Sequence, residues 1–127
     1  MKGKSLLKNT DLKLPLNFQW YDEIVYGDKR EEYREITAYW VSRLLGVRNV
    51  IEDSRVYLKK INHPDIIQAM FKAGFFFALP YKTVTFRRGY TRETKTFRIT
   101  GIDIRQGNPK WGAKPGKKYF VISFSTL

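Results

Sequence analysis

The chain has no cysteine and one histidine in 127 residues. Without thiols it can be neither a disulfide scaffold nor a Cys-ligated zinc module nor a thiol enzyme, and the compartment expected for it is the reducing cytoplasm. The lone His63 sits beside Pro64 and reads as part of a helix cap. With no second histidine it has no partners for a metal site or a nucleophile triad. No metal is expected, and nothing in the sequence calls for a cofactor. Long apolar runs are also missing: the longest, residues 75–79, is far short of the roughly 20 residues that span a bilayer. The start, Met1-Lys2-Gly3-Lys4-Ser5-Leu6-Leu7-Lys8, has no apolar stretch of signal-peptide length. No membrane partner is expected. Repeats, low-complexity tracts and Ser/Gly linkers are absent too, so one domain over residues 1–127 is expected, with 1–11 as a flexible basic tail.

Acid is scarce in one part of the chain. The net charge is +12, and residues 1–79 carry 13 Lys/Arg against 10 Asp/Glu, whereas residues 80–127 carry 11 against 2. A basic protein with its excess concentrated in this way draws polyphosphates and speeds encounter with nucleic acid.

Hydrophobic periodicity supplies the elements. Residues 12–16 alternate apolar and polar, a first strand in which Pro15 belongs at an edge or a bulge. Trp20, Tyr21, Ile24 and Val25 share a helical stripe, which Gly27 can end with a left-handed cap. Thr37 can cap a helix carrying Trp40, Val41, Leu44 and Leu45, ended by Gly46. Residues 47–62 fit no single pattern. Asn62 then reads as the cap of a helix with Asp65 in its first turn, Ile66, Ile67, Met70 and Phe71 on one face, and Gly74 as its stop. From residue 81 the period changes to two, giving a hairpin with its turn at Gly89. In its second arm the apolar face passes from Phe97 and Ile99 to Ile102 and Ile104, a phase slip that predicts a β-bulge at Thr100-Gly101. Residues 119–124 are apolar on both faces, so the last strand should be central. The fold class expected is α+β: a small, bent, mostly antiparallel β-barrel with two or three surrounding helices.

One segment is charged where a strand should face the core. Between Gly27 and Arg34, Arg30, Glu32 and Arg34 would share one face. Lys29 offers three donors, Glu32 an acceptor and Arg34 a planar fork suited to phosphate or carboxylate, so the three can hold a base edge and a phosphate together. The same residues also suit an ion-pair network on a solvated face. Around the hairpin turn, Arg87, Arg88, Tyr90 and Arg92 can extend a basic face or serve as ordinary edge charges. Lys110, Trp111, Lys114, Lys117 and Lys118 place cations around an indole, either as a stacking platform for single-stranded RNA or as a plug with solubilising lysines. Residues 75–81 suit the core or a protein partner.

The segment Gly27-Asp28-Lys29-Arg30-Glu31-Glu32-Tyr33-Arg34 has the form G-x-K-x-x-E-x-R and resembles the signature of the ASCH domain, a relative of the PUA RNA-binding fold. The order of elements, the Phe86-Arg87-Arg88-Gly89-Tyr90 stretch and the Trp111-Gly112 loop before the last strand are similar to small bacterial and phage ASCH proteins, over residues 12–124. The resemblance implies a β-barrel with helices around it and a cleft floored by the signature residues. It also implies a ligand, RNA or nucleotide-like, bound at Lys29, Glu32 and Arg34 with Arg87, Arg88, Tyr90, Trp111 and Lys117 around them. The family includes small hydrolases as well, amidases acting on acylated nucleosides and proposed nucleases, in which the signature lysine works with a threonine three residues on. Here that position is Glu32, so an enzyme reading rests on Lys29 and Glu32 as an acid/base pair.

Overall fold

The computed structural model describes residues 9–48 and 63–127. In chain order these form β1 (Asp11–Leu16), α1 (Phe18–Val25), β2 (Glu31–Arg34), α2 (Ala38–Leu44), β3 (Leu45–Val47), α3 (Pro64–Lys72), β4 (Phe76–Ala78), β5 (Thr83–Arg88), β6 (Thr94–Gln106), a 3₁₀ turn (Pro109–Trp111) and β7 (Lys118–Ser125). The class is α+β. Five strands make one sheet in the order β1-β5-β6-β7-β2, and β3 pairs with β4 separately. β1 runs parallel to β5, with Leu14 opposite Phe86, while β5 and β6 form the expected antiparallel hairpin, with Val84 opposite Phe97. The sheet is therefore mixed. Among the described residues its order ends at β1 and β2 without returning on itself, so the closed barrel expected from the sequence is not what the strands form.

The chain divides into two compact units, the first holding residues 1–32, 80–102 and 122–127, the second 33–79 and 103–121. β2, β6 and β7 each contribute residues to both. In the first unit Leu12, Leu14 and Leu16 of β1, Tyr21 and Ile24 of α1, and Val84 and Phe86 of β5 are buried. Phe86, Phe97 and Phe124 form an aromatic triangle there, with ring centroids 5.0–5.8 Å apart. Each edge of such a triangle adds about 0.5–1.5 kcal/mol beyond the area it buries. In the second unit Ala113, Tyr119 and Val121 form a buried cluster against which Tyr33 packs.

Local chemistry explains where the elements begin and end. Asn17 and Thr37 accept hydrogen bonds from the backbone N–H groups of Trp20 and Trp40, capping α1 and α2. Gly74 takes a left-handed φ of 86° after α3, and Gly89 one of 56° in the hairpin turn. Pro15 lies on an edge strand, and β7 is an interior strand buried at Tyr119, Phe120, Val121, Ile122 and Phe124. Along β6 burial passes from Phe97 to Ile104 with exposed Thr100 and Gly101 between them, the change of phase that the sequence implies.

Three local expectations are corrected. Gly27 is not left-handed; it is needed because a Cβ there would stand 2.7 Å from the Glu23 carbonyl oxygen. Gly46 does not end α2 as a cap: the chain enters β3 at Leu45, and Gly46 leaves room for the Phe77 ring, 2.4 Å from where its Cβ would be. Asn62 lies outside the described residues, and the cap of α3 is His63, with Pro64 in the first turn and no side-chain bond from the histidine. Most of the segment 47–62 also lies outside the described residues.

Candidate functional site: a buried lysine–glutamate pair

The turn after α1 carries Lys29 to Glu32 within the first unit. Lys29 N–H donates to the Glu23 carbonyl at 3.2 Å, the contact for which Gly27 clears space. Arg30 fastens the turn from the other side, its guanidinium donating to the carbonyls of Ile24 at 2.9 Å and Lys29 at 2.8 Å. The Arg30 carbonyl in turn accepts from Phe124 N–H at 3.2 Å. The chain between α1 and β2 is thus held by backbone on both sides, and the Lys29 side chain goes inward.

There it meets Glu32. The Lys29 ammonium lies 3.1 Å from the Glu32 carboxylate, with side chains only 1 % and 7 % exposed. These are the only charged residues among the buried ones described. The indole of Trp20, from α1, lies 4.9 Å from the ammonium, an added cation–π contact. A buried ion pair of this kind gives little net stability, because desolvation of both ions offsets their attraction. What it does give is a fixed donor–acceptor dipole inside a low-dielectric environment.

The other residues singled out in the sequence fall in both units. Arg87, Arg88 and Tyr90 are in the first, with Arg34, Trp111 and Lys117 in the second. Arg88 is engaged internally: it donates to both Asp22 carboxylate oxygens, at 2.9 and 3.1 Å, and lies 4.1 Å over the Phe18 ring. The hydrogen bond from Arg88 holds the Asp22 carboxyl below the usual carboxylate range, and the same bond raises the arginine. Arg87 is exposed, and Tyr90 at the hairpin tip is almost fully so. Arg34 lies against Trp40, 5.3 Å from the ring centroid. Lys117 bonds to both oxygens of Glu35, at 2.8 and 2.7 Å, which raises its pKa. Lys118 bridges Asp65 and Gln68, while Lys110 and Lys114 are exposed. Trp111 is half-buried in the 3₁₀ turn.

Trp20 was legible only as part of a helical stripe, because periodicity does not separate a core indole from one that faces a buried cation. Of the segment 75–81, Phe76 is buried in β4 and Phe75 is 59 % exposed. Among the described residues no three His, Asp or Glu side chains gather as metal ligands, and no helix is long and apolar enough to cross a membrane. Comparison with protein-family models, with curated proteins and with solved structures found no match.

Proposed function

We propose that this chain is an ASCH-like module that binds RNA or a nucleotide-like ligand, on a PUA-like variation of the α+β fold. The observation that carries the reading is the buried Lys29–Glu32 pair with Trp20 beside it. An apolar pair of similar volume often holds a fold about as well, so two charges in the interior favour a chemical role. Lysine donors, carboxylate acceptors and an indole face match the edge and the plane of a nucleobase. Within the second unit, Arg34 offers a planar fork suited to phosphate. The net charge of +12 supports the same class of partner.

The test is binding of short single-stranded RNAs and of mononucleotides at low salt, followed by anisotropy or calorimetry. Arg34→Ala should weaken binding by about 1–3 kcal/mol if the fork is bidentate. No binding of either ligand class at low salt would overturn the reading.

A second reading draws on the same 3.1 Å contact. It places a proton donor and an acceptor side by side out of bulk water, as a small amidase or nuclease acting on modified nucleosides or RNA would need. Turnover of acylated nucleosides that Lys29→Ala abolishes, with no RNA binding, would favour that reading over the first.

A further inference from the structure

We propose that Tyr39 and Arg43 on the exposed side of α2, together with the half-buried Trp40 and Arg34, form a base-stacking platform for single-stranded RNA. The proposal rests on the RNA-binding reading and deepens it by naming the surface that meets the bases.

Sequence spacing builds the platform. Residues three and four apart on a helix are neighbours, so Arg43 reaches back to both Trp40 and Tyr39. Its guanidinium carbon lies 5.6 Å from the Trp40 ring centroid and 5.3 Å from that of Tyr39. Arg43 also donates to the Tyr39 hydroxyl at 3.0 Å. The two rings meet edge to face, with centroids 5.0 Å apart at 87°. Arg34, from β2, brings a second guanidinium to 5.3 Å from the same indole. Two aromatic rings and two planar cations are therefore gathered in one layer of contacts within the second unit.

Trp40 and Arg34 are half-buried, and the outward part of the layer is Tyr39 and Arg43. α2 buries Val41 and Leu44, whereas Tyr39 is 58 % exposed and Arg43 is exposed. An exposed tyrosine held by an arginine is a poor use of apolar surface for folding and a good one for recognition. Bases splayed from a single strand stack on aromatic rings and on guanidinium planes, and every base offers such a face. Aromatic and arginine side chains also anchor protein interfaces. A chain with twice as many basic as acidic residues, 24 against 12, favours the polyanion.

The experiment compares labelled oligo(U) and oligo(A) of about ten nucleotides with an abasic ribose-phosphate oligomer of equal length and charge. Wild type should bind the base-bearing oligomers more tightly than the abasic one. Tyr39→Ala should lose about 5- to 100-fold on the base-bearing oligomers and leave the abasic one unchanged, while Tyr39→Phe keeps wild-type affinity. Should Tyr39→Ala melt early, Tyr39→Leu, with apolar bulk but no ring, is expected to show the same base-dependent loss. If these variants bind like wild type, or lose equally on the abasic oligomer, the platform is wrong and RNA binding stands. If wild type binds no oligomer at low salt, both fall, and capture of an acidic protein by this face would then point to an interface instead.

Discussion

The Lys29 ammonium stands 3.1 Å from the Glu32 carboxylate, and both are shut away from water. Removing either partner leaves the other as an uncompensated charge in the interior. Lys29→Met or Glu32→Leu alone should therefore destabilise the fold by about 3–5 kcal/mol, whereas the double replacement should recover most of that loss. Urea unfolding of the three variants measures the coupling. If the pair serves the ligand, the double variant should be well folded and fail to bind. A double variant as unstable as the worse single one would show that the two charges do not compensate each other.

The Asp22–Arg88 pair shapes the acid limb of stability. Asp22 has its folded pKa lowered, first by the hydrogen bond from Arg88, so its contribution is present above the ordinary aspartate value near about 4. It is lost as pH falls through the lower, folded value. Asp65, lowered by its bond to Lys118, acts in the same direction. Asp22→Asn should accordingly flatten the decline in melting temperature below about pH 4, and an unchanged acid limb would show that the pair is too well solvated to matter.

At the alkaline end the sign reverses. Tyr21 is raised first by burial and then by the Glu93 charge, and Tyr26 first by that charge, its hydroxyl donating to Glu93 at 3.2 Å. Stability tied to these phenols is intact below the ordinary tyrosine value of about 10 and falls as pH rises beyond it. Glu93→Gln should soften this fall without abolishing it, because the burial of Tyr21 remains. Thermal melts between neutral pH and strong alkali provide the check.

Much of this architecture was legible because local rules and tertiary structure agree. Asn17 and Thr37 cap helices, Leu12, Leu14 and Leu16 alternate into the core, and the run 119–124 is buried in an interior strand. Where expectations failed, the decisive contact came from a residue that no pattern within its own element reveals. Gly46 serves the ring of Phe77, which lies across a strand pair. Parallel pairing of β1 with β5 joins segments about seventy residues apart, and nothing in either strand's alternation announces its direction. For the site, the ASCH resemblance suggested Lys29 and Glu32 as a pair, whereas alternation alone put Glu32 with Arg30 and Arg34, and the depth of the pair was hidden because charge in a strand usually means solvent. Trp40 against Arg34 was missed because the pairing joins a strand to the next helix, although an aromatic pair followed by arginine three and four residues later was a readable hint.

Tyr33 ties the long loop before β7 to β2. Its hydroxyl accepts from Asn108 N–H at 2.8 Å, and its ring lies 5.6 Å from that of Tyr119, whose own hydroxyl accepts from Lys114 N–H at 3.0 Å. Tyr33→Phe keeps the ring and leaves the Asn108 N–H without this acceptor, at a cost of about 1–3 kcal/mol. Faster amide exchange at Asn108 and Lys110 than in wild type would place the loss in the loop. Exchange that is unchanged there would mean that the ring alone anchors it.

Salt dependence should distinguish the lysines of this same loop. Each phosphate neutralised by a cation releases counterions, so the slope of log affinity against log salt counts the contacts made. Lys114 is exposed, whereas Lys117 already sits against both oxygens of Glu35. Drawing Lys117 to a phosphate means giving up that bond, and the net charge it brings is partly offset before any ligand arrives. If RNA meets this loop, Lys114→Ala should flatten the slope by about one and weaken all sequences alike. Lys117→Ala should change it less, and Glu35→Gln should steepen it by freeing Lys117 for the strand. Anisotropy titrations of one short RNA across a series of salt concentrations measure all three slopes. A Lys117→Ala slope that falls as far as that of Lys114→Ala would show that Glu35 gives way to phosphate at no cost.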